Sequence, residues 1–432
     1  MIYSLIAFLI ALIPFCVWSS LPDGIRTPKE IASILGLIGI CWAGSLYEKH
    51  KLTIKPLFLF WLWCFAVTII NSYNIPILFA NSGGGVIAFA ADGKAGPLTT
   101  PIQLYAWKEL FYITLSVFCI YTIASVKTSP HYGRFFGSHL LSGNSTPKEY
   151  IGIISRTIVW VSVITCIYAL IQAIGLDNFF KVTNNTGMVA ETNTKDFGLT
   201  WHVSHRIVST IGNPTLLGAF LALCLPFTLY DKSKLAKLAL VLIVCVLVFA
   251  QGTTGIVASI VGILFYLLFK NRKLFIALLA VLMITGFVVS KKIDIKDFIN
   301  PTGRIEVHKV AWDMVKDRPL LGMGLGTFEW LVGNNPETFK KLDECKWKEL
   351  HDEYGQIWFS TGLVGLGLFL WFISYCFVKF WRARNDESIV IASALIAFLV
   401  CCITLFPMRI APHAFYGVIL TGLLLNVTRR TE

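Results

Sequence analysis

The chain has 432 residues, 56% of them apolar and 14% charged, with a formal net charge of +12 and a mean hydropathy of +0.69. That balance excludes a soluble enzyme and describes a polytopic membrane protein. The charge does not indicate nucleic acid, because the basic residues stand in small groups between apolar runs and form neither a tail nor a continuous basic surface.

Apolar runs fall at about 2–20, 30–46, 56–78, 105–126, 151–175, 211–230, 237–254, 255–269, 274–290, 354–378, 388–406 and 412–427. A helix needs ~20 apolar residues to cross a bilayer, and backbone groups in hydrocarbon must be satisfied within their own segment. The runs therefore predict an all-α polytopic fold of about twelve transmembrane helices. None shows the alternation of a barrel strand. The first run has no basic n-region and no small-residue cleavage site, so it is expected to stay as the first helix. The two short runs on either side of Gly252–Gly255 predict either a tilted hairpin or a pair packed against neighbours below full span.

Alternate connections carry the basic residues: Lys49, Lys51 and Lys55; Lys127, Arg134 and Lys148; Lys232, Lys234 and Lys237; Lys270, Arg272 and Lys273; Lys379, Arg382 and Arg384. Short basic loops are retained in the cytoplasm, so both termini are expected there, with segments 79–104, 176–210 and 291–352 facing outward. No repeat period or Pro/Ser-rich linker divides the chain, and residues 1–432 are expected to form one membrane domain. Of the eleven cysteines only Cys345 lies in the long outward loop, which excludes a disulfide within that loop, and no CxxC pair suggests zinc.

The loop 291–352, between the ninth and tenth runs, is where chemistry is expected. Ile305, Val307, His308, Val310, Ala311, Trp312, Met314 and Val315 give a helical stripe that could lie along the membrane with Trp312 at headgroup depth. Pro319 is expected to end it, Gly322, Gly324 and Gly326 to form a flexible turn, and a second helical stretch to run from about Pro336 to His351.

Arg206, Arg304 and His351 fall on the same outward face. Two guanidinium forks suit a diphosphate, and a histidine can take the proton of an attacking hydroxyl. Arg409, in the short turn between the last two runs, could add a phosphate contact. An interfacial arginine also serves as a headgroup anchor and a histidine at a helix start as a cap, so the residues alone leave these roles open. Lys108 and Glu109 suggest an interfacial ion pair. His202 and His205 lack a third metal ligand, Asp313 with Asp317 and Asp352 with Glu353 form no metal clamp, and the glycines at 322–326 follow no strand of a dinucleotide site, so neither metal nor cofactor is expected.

At these residues the sequence resembles the O-antigen ligase and polymerase superfamily of bacterial envelope glycosyltransferases. The resemblance rests on Arg206 followed by Gly212-Asn213-Pro214, on Arg304 with Trp312, Pro319, Gly322 and Gly324, and on His351 followed by Gly362 and Gly365. It implies a GT-C-like enzyme of the bacterial inner membrane, with its active site on the periplasmic side. Such an enzyme transfers a glycan from undecaprenyl pyrophosphate, without a metal and with inversion. Carried over, Arg206 and Arg304 would bind the pyrophosphate and His351 would activate the acceptor hydroxyl, with Asn213, Trp312 and Tyr354 in support. The chain departs from many relatives in having Gly252-Thr253-Thr254-Gly255 where they carry Ser-Arg-Gly. It also has Leu217 and Val315 where the polymerase branch often has glycine, which favours a ligase acting on lipid A-core. A polymerase, a protein O-oligosaccharyltransferase, a transporter or flippase, and a non-catalytic assembly partner are the rival readings. The charges collect in loops rather than in mid-helix, which argues against transport.

Overall fold

The computed structural model describes residues 2–16, 26–47, 53–81, 99–126, 146–176, 207–290, 304–333, 338, 342 and 347–429. Among them are thirteen α-helices and no strand: α1 Ile2–Leu12, α2 Arg26–Ser45, α3 Lys55–Asn81, α4 Thr99–Ser125, α5 Pro147–Ala173, α6 Pro214–Tyr230, α7 Lys234–Ala250, α8 Thr253–Lys270, α9 Arg272–Ser290, α10 Arg304–Val315, α11 Glu353–Arg382, α12 Asp386–Cys401 and α13 Ala411–Arg429. Each of the twelve apolar runs coincides with a helix, and α10 is the stripe read from the long loop. Five of the helices are long and apolar enough to cross a membrane, within 104–125, 147–173, 253–270, 353–382 and 411–429.

Local sequence explains the element boundaries. Asn213 caps α6, its Oδ1 accepting from Thr215 N at 2.8 Å and Leu216 N at 3.2 Å, with Pro214 in the first helical position. Asp352 caps α11 in the same way, through Tyr354 N and Gly355 N, both at 3.1 Å. A short turn with Gln251 in a left-handed conformation (φ 51°) joins α7 to α8, and each of the two packs on α6 rather than along the other. Helix α8 meets α6 where Gly255 faces Gly218, so closely that a Cβ on Gly255 would overlap the Gly218 backbone.

The core runs through the middle of the bundle and includes Tyr150, Phe220, Phe227, Tyr416 and Leu424, all essentially inaccessible. At one end, Asn426 ties α13 to α4 and α5: its Nδ2 donates to the Ile123 carbonyl at 2.9 Å and its Oδ1 accepts from Tyr150 Oη at 2.9 Å. Arg429 donates to the Ala124 carbonyl at the same end. The starts of α6, α8, α10 and α11 meet the turn after α12 at the other end, where Arg304, His351 and Arg409 all lie.

Helix α11 is not continuous. Gly362 breaks it (φ 69°, ψ −175°), and the stretch 319–324 fills the break. Met323 N donates to the Phe359 carbonyl at 2.7 Å, Gly324 N to Ser360 at 3.0 Å, and Leu363 N to Pro319 at 2.8 Å. Trp63 of α3 donates to the Thr361 carbonyl at 2.8 Å. The glycine-rich stretch is therefore not the flexible turn read from its composition. Gly322 (φ 71°) and Gly324 (φ 108°) are buried, and a Cβ on Gly322 would meet Gly362 N at 2.5 Å. The second helical stretch expected over 336–351 lies largely outside the described residues, and its described end, 347–351, is not helical.

Gly255→Val would force apart a backbone contact between two core helices, at a cost of about 1–3 kcal/mol. The expected outcome is a lower melting temperature of the detergent-purified protein and a smaller monodisperse fraction in size exclusion. An unchanged melting temperature would contradict the close approach.

Candidate active site

Arg304 opens α10, and its Nη1 donates to the Thr404 carbonyl in the turn after α12 at 3.1 Å. Its Nε is buried and finds no hydrogen-bond partner among the described residues. Burial lowers the guanidinium's proton affinity somewhat, which still leaves it charged at any physiological pH. Thr404 is itself held by α8, its Oγ1 lying 2.7 Å from Thr254 Oγ1. The Gly252–Gly255 turn thus supports the Arg304 anchor through a threonine.

His351 precedes α11 with φ 58°, a conformation that costs a non-glycine residue about 1–2 kcal/mol. Its neighbours hold it there. The ring packs edge-on against Trp347 at 5.1 Å and Phe406 at 4.7 Å, and Asp352 caps the helix immediately after it. Nδ1 is buried and has no partner among the described residues, which leaves Nε2 as the nitrogen able to face the cavity. Burial, with the positive charge of Arg304 and of His308 adding to it, lowers His351 to about 4. The ring is therefore neutral at pH 7, with a lone pair free to accept a proton.

Arg304, His308, Lys309, Trp312, His351 and Thr404 line an open cavity of about 620 Å³. Trp312 packs against Trp358 at 5.2 Å and remains largely exposed. His308, one helical turn after Arg304, places Nδ1 2.6 Å from the Arg304 carbonyl and Nε2 3.6 Å from Asp352 Oδ2. The approach to Asp352 raises its proton affinity above the ordinary histidine value, against the effect of burial.

The remaining residues read from the sequence are elsewhere. Arg206 lies outside the described residues, but the chain that follows it is fixed: Gln172 Oε1 accepts from Val208 N at 3.1 Å and Ser209 N at 2.6 Å. His202 and His205 are also outside them. Asn213 is engaged as a helix cap. Tyr354 joins α11 to α12 through a 3.1 Å hydrogen bond to the Leu399 carbonyl and does not line the cavity.

Arg409 is not on the cavity wall. Its Nη1 lies 2.6 Å from Glu109, and its Nε 3.3 Å from Glu349 and 3.5 Å from Glu353. Burial opposes the charge, but the three carboxylates outweigh it and hold Arg409 firmly protonated. Glu109 therefore pairs with Arg409 rather than with Lys108, which approaches Glu30 at 3.8 Å instead. Below this cluster an apolar cavity of about 200 Å³ opens between α3, α4, α11, α12 and α13, with Met408, Tyr112 and Phe369 among its lining.

Residues 238–370 match the family model described as O-antigen ligase. The match covers less than half of the chain. The matched O-antigen ligase segment contains Arg304, His308 and His351, and ends in α11 beyond the Gly362 break. No curated protein matches the chain.

Sequence reasoning missed His308, Asp352 and Thr404 as neighbours of the site. The four-residue spacing of Arg304 and His308 on a predicted helix was the available signal for the first. Thr404 carried none, because its partners come from α8 and α10.

Glu349 offers a direct check on the carboxylate cluster. Burial, reinforced by Glu109 and only partly offset by Arg409, raises it from 4.5 to about 7. A carboxyl raised on folding favours the folded state below its unfolded value and loses that contribution as pH rises through the folded value. Glu349→Gln is expected to raise stability at pH 8 relative to the parent by about 1–3 kcal/mol, the gain vanishing by about pH 4. Melting temperatures of both proteins across that range test it; a pH-independent difference would contradict the shift.

Proposed function

We propose that the protein is a membrane glycosyltransferase that moves a glycan from undecaprenyl diphosphate to a sugar hydroxyl of lipid A-core, at the periplasmic face of the bacterial inner membrane. One observation carries this reading: a fixed cation, Arg304, and a neutral histidine, His351, line the same open cavity within the O-antigen ligase segment.

In the proposed reaction the acceptor hydroxyl gives its proton to His351 Nε2 and its oxygen attacks the anomeric carbon. The carbon–oxygen bond to the diphosphate breaks, and its electron pair leaves with the diphosphate. Arg304, already oriented by the Thr404 carbonyl, stabilises that charge without reorganising, and Arg206 is the second arginine assigned to it. Attack opposite the leaving group inverts the linkage. A histidine lowered to about 4 is a weak base in isolation. The negative charge of a bound diphosphate opposes the effect of Arg304 and raises its basicity when the donor is present. The binding of donor and the activation of the base are thereby coupled. Tyr354 and Asn213 act by fixing the starts of α11 and α6, and Arg409 by tying the turn 402–410 to α4 and α11.

His351→Ala is expected to lower kcat by about 10²–10⁴ with expression and melting temperature retained. Arg304→Ala is expected to lower it by about 10²–10³ and to raise the donor KM. Full activity in a folded His351→Ala protein would remove the histidine as base. The acceptor is decided by reconstitution with one labelled lipid-linked glycan and three acceptors offered separately: lipid A-core, a second lipid-linked glycan and a pilin-like protein. Product on lipid A-core is the expected result. Product on the second donor or on the protein would make the enzyme a polymerase or a protein glycosyltransferase, and no transfer to any of them would overturn the reading.

A further inference from the structure

We infer that His308 is a further cationic contact for the donor's diphosphate, beside the arginines, a charged histidine facing the neutral His351 across the same cavity. This rests on the function proposed above and adds to it a residue that neither the sequence motifs nor the family match singles out.

Hydrogen-bond geometry sets the charge of the ring. His308 Nδ1 is 2.6 Å from the Arg304 carbonyl, which can only accept, so Nδ1 carries a proton. Nε2 faces Asp352 Oδ2 at 3.6 Å. Both oxygens of Asp352 accept from backbone N–H groups, of Tyr354 and Gly355, so its oxygens are presented to the ring as acceptors. A neutral imidazole would aim a lone pair at that carboxylate; an imidazolium aims a proton. The 3.6 Å separation exceeds a good hydrogen bond, and the side chain keeps 39% of its surface accessible. The Nε2 proton is thus charged, incompletely engaged and open to an incoming anion.

The surroundings fit an anion more than any neutral group. Arg304 lies one turn earlier on the same helix, with Lys309 beside it, and Asp313 is the acidic residue of α10 on the cavity wall. From α11 come Asp352, which keeps His308 charged, and His351, which stays neutral. The turn after α12 contributes Thr404 without a charge. Two histidines pushed in opposite directions by their surroundings divide proton acceptance from anion binding. During transfer His308 keeps its proton and donates it as a hydrogen bond to a phosphate oxygen, while the acceptor's proton goes to His351.

The contact should fail as the imidazolium deprotonates. The test titrates inorganic pyrophosphate into the detergent-purified full chain by calorimetry between pH 6 and 9, for the parent, His308→Gln and His308→Arg, alongside glycan transfer by the same preparations. Expected are affinity that falls in the parent as pH rises, a roughly tenfold weaker and pH-flat affinity for His308→Gln, and affinity retained to pH 9 for His308→Arg. Parental affinity and pH profile in a folded His308→Gln protein would overturn the His308 assignment while leaving the proposed transferase intact. A parent that neither binds pyrophosphate nor transfers glycan would overturn both.

Discussion

The short turn from Cys402 to Ile410 holds Arg304, His351 and the start of α11 together. The Cys402 carbonyl accepts from Glu353 N at 2.8 Å, and Met408 N donates back to the Glu353 carboxylate at 3.2 Å, so the start of α11 is clasped from two points. Between them the Thr404 carbonyl takes Arg304, its hydroxyl meets Thr254, and Phe406 packs on His351. Arg409 then fastens the far end of the turn to α4 and α11. Burying one arginine with three carboxyl groups is unfavourable for each charge taken alone, and removing the arginine, the one cation that the three share in this cluster, is the change of the kind that typically costs about 3–5 kcal/mol. The arrangement persists because each charge has the others as neighbours. The turn is consequently fixed in register, and with it the positions of Arg304 and His351.

That turn also separates two electrostatic environments. On one side the cavity is cationic, with Arg304, His308 and Lys309 outnumbering Asp313. On the other, carboxylates exceed Arg409 in number above an apolar cavity. An anionic headgroup is attracted to the first and repelled from the second. The sorting operates before any specific contact forms.

Much of this was legible in the sequence, because hydrophobic run length is a local property. All twelve runs became helices, and the mixed stripe from Ile305 to Val315 became α10. Residue type and outward placement single out Arg304 and His351, which the fold brings to one cavity. What escaped depended on partners distant in sequence. Arg409 was read as a phosphate contact because nothing local reveals Glu109, three hundred residues earlier. Lys108 and Glu109 were paired because they are adjacent, whereas side chains at successive helix positions point in different directions. The glycines at 322–326 were read as flexible because glycine permits many conformations. The structure uses that same property to bring two backbones together, a purpose that composition alone does not distinguish.

The break at Gly362 also constrains how the chain is assembled. Until residues 359–363 are in place, the N–H groups of Met323 and Gly324 have no carbonyls to meet, and a stretch with unmet backbone groups is poorly tolerated in hydrocarbon. The segment 318–326 is made about forty residues before its partner. It therefore acquires its backbone partners only after α11 has been synthesised. Arg304 stands on the helix just before this segment, so the cavity takes its final shape only once the segment has docked into the break. In biogenesis, the cavity is closed late.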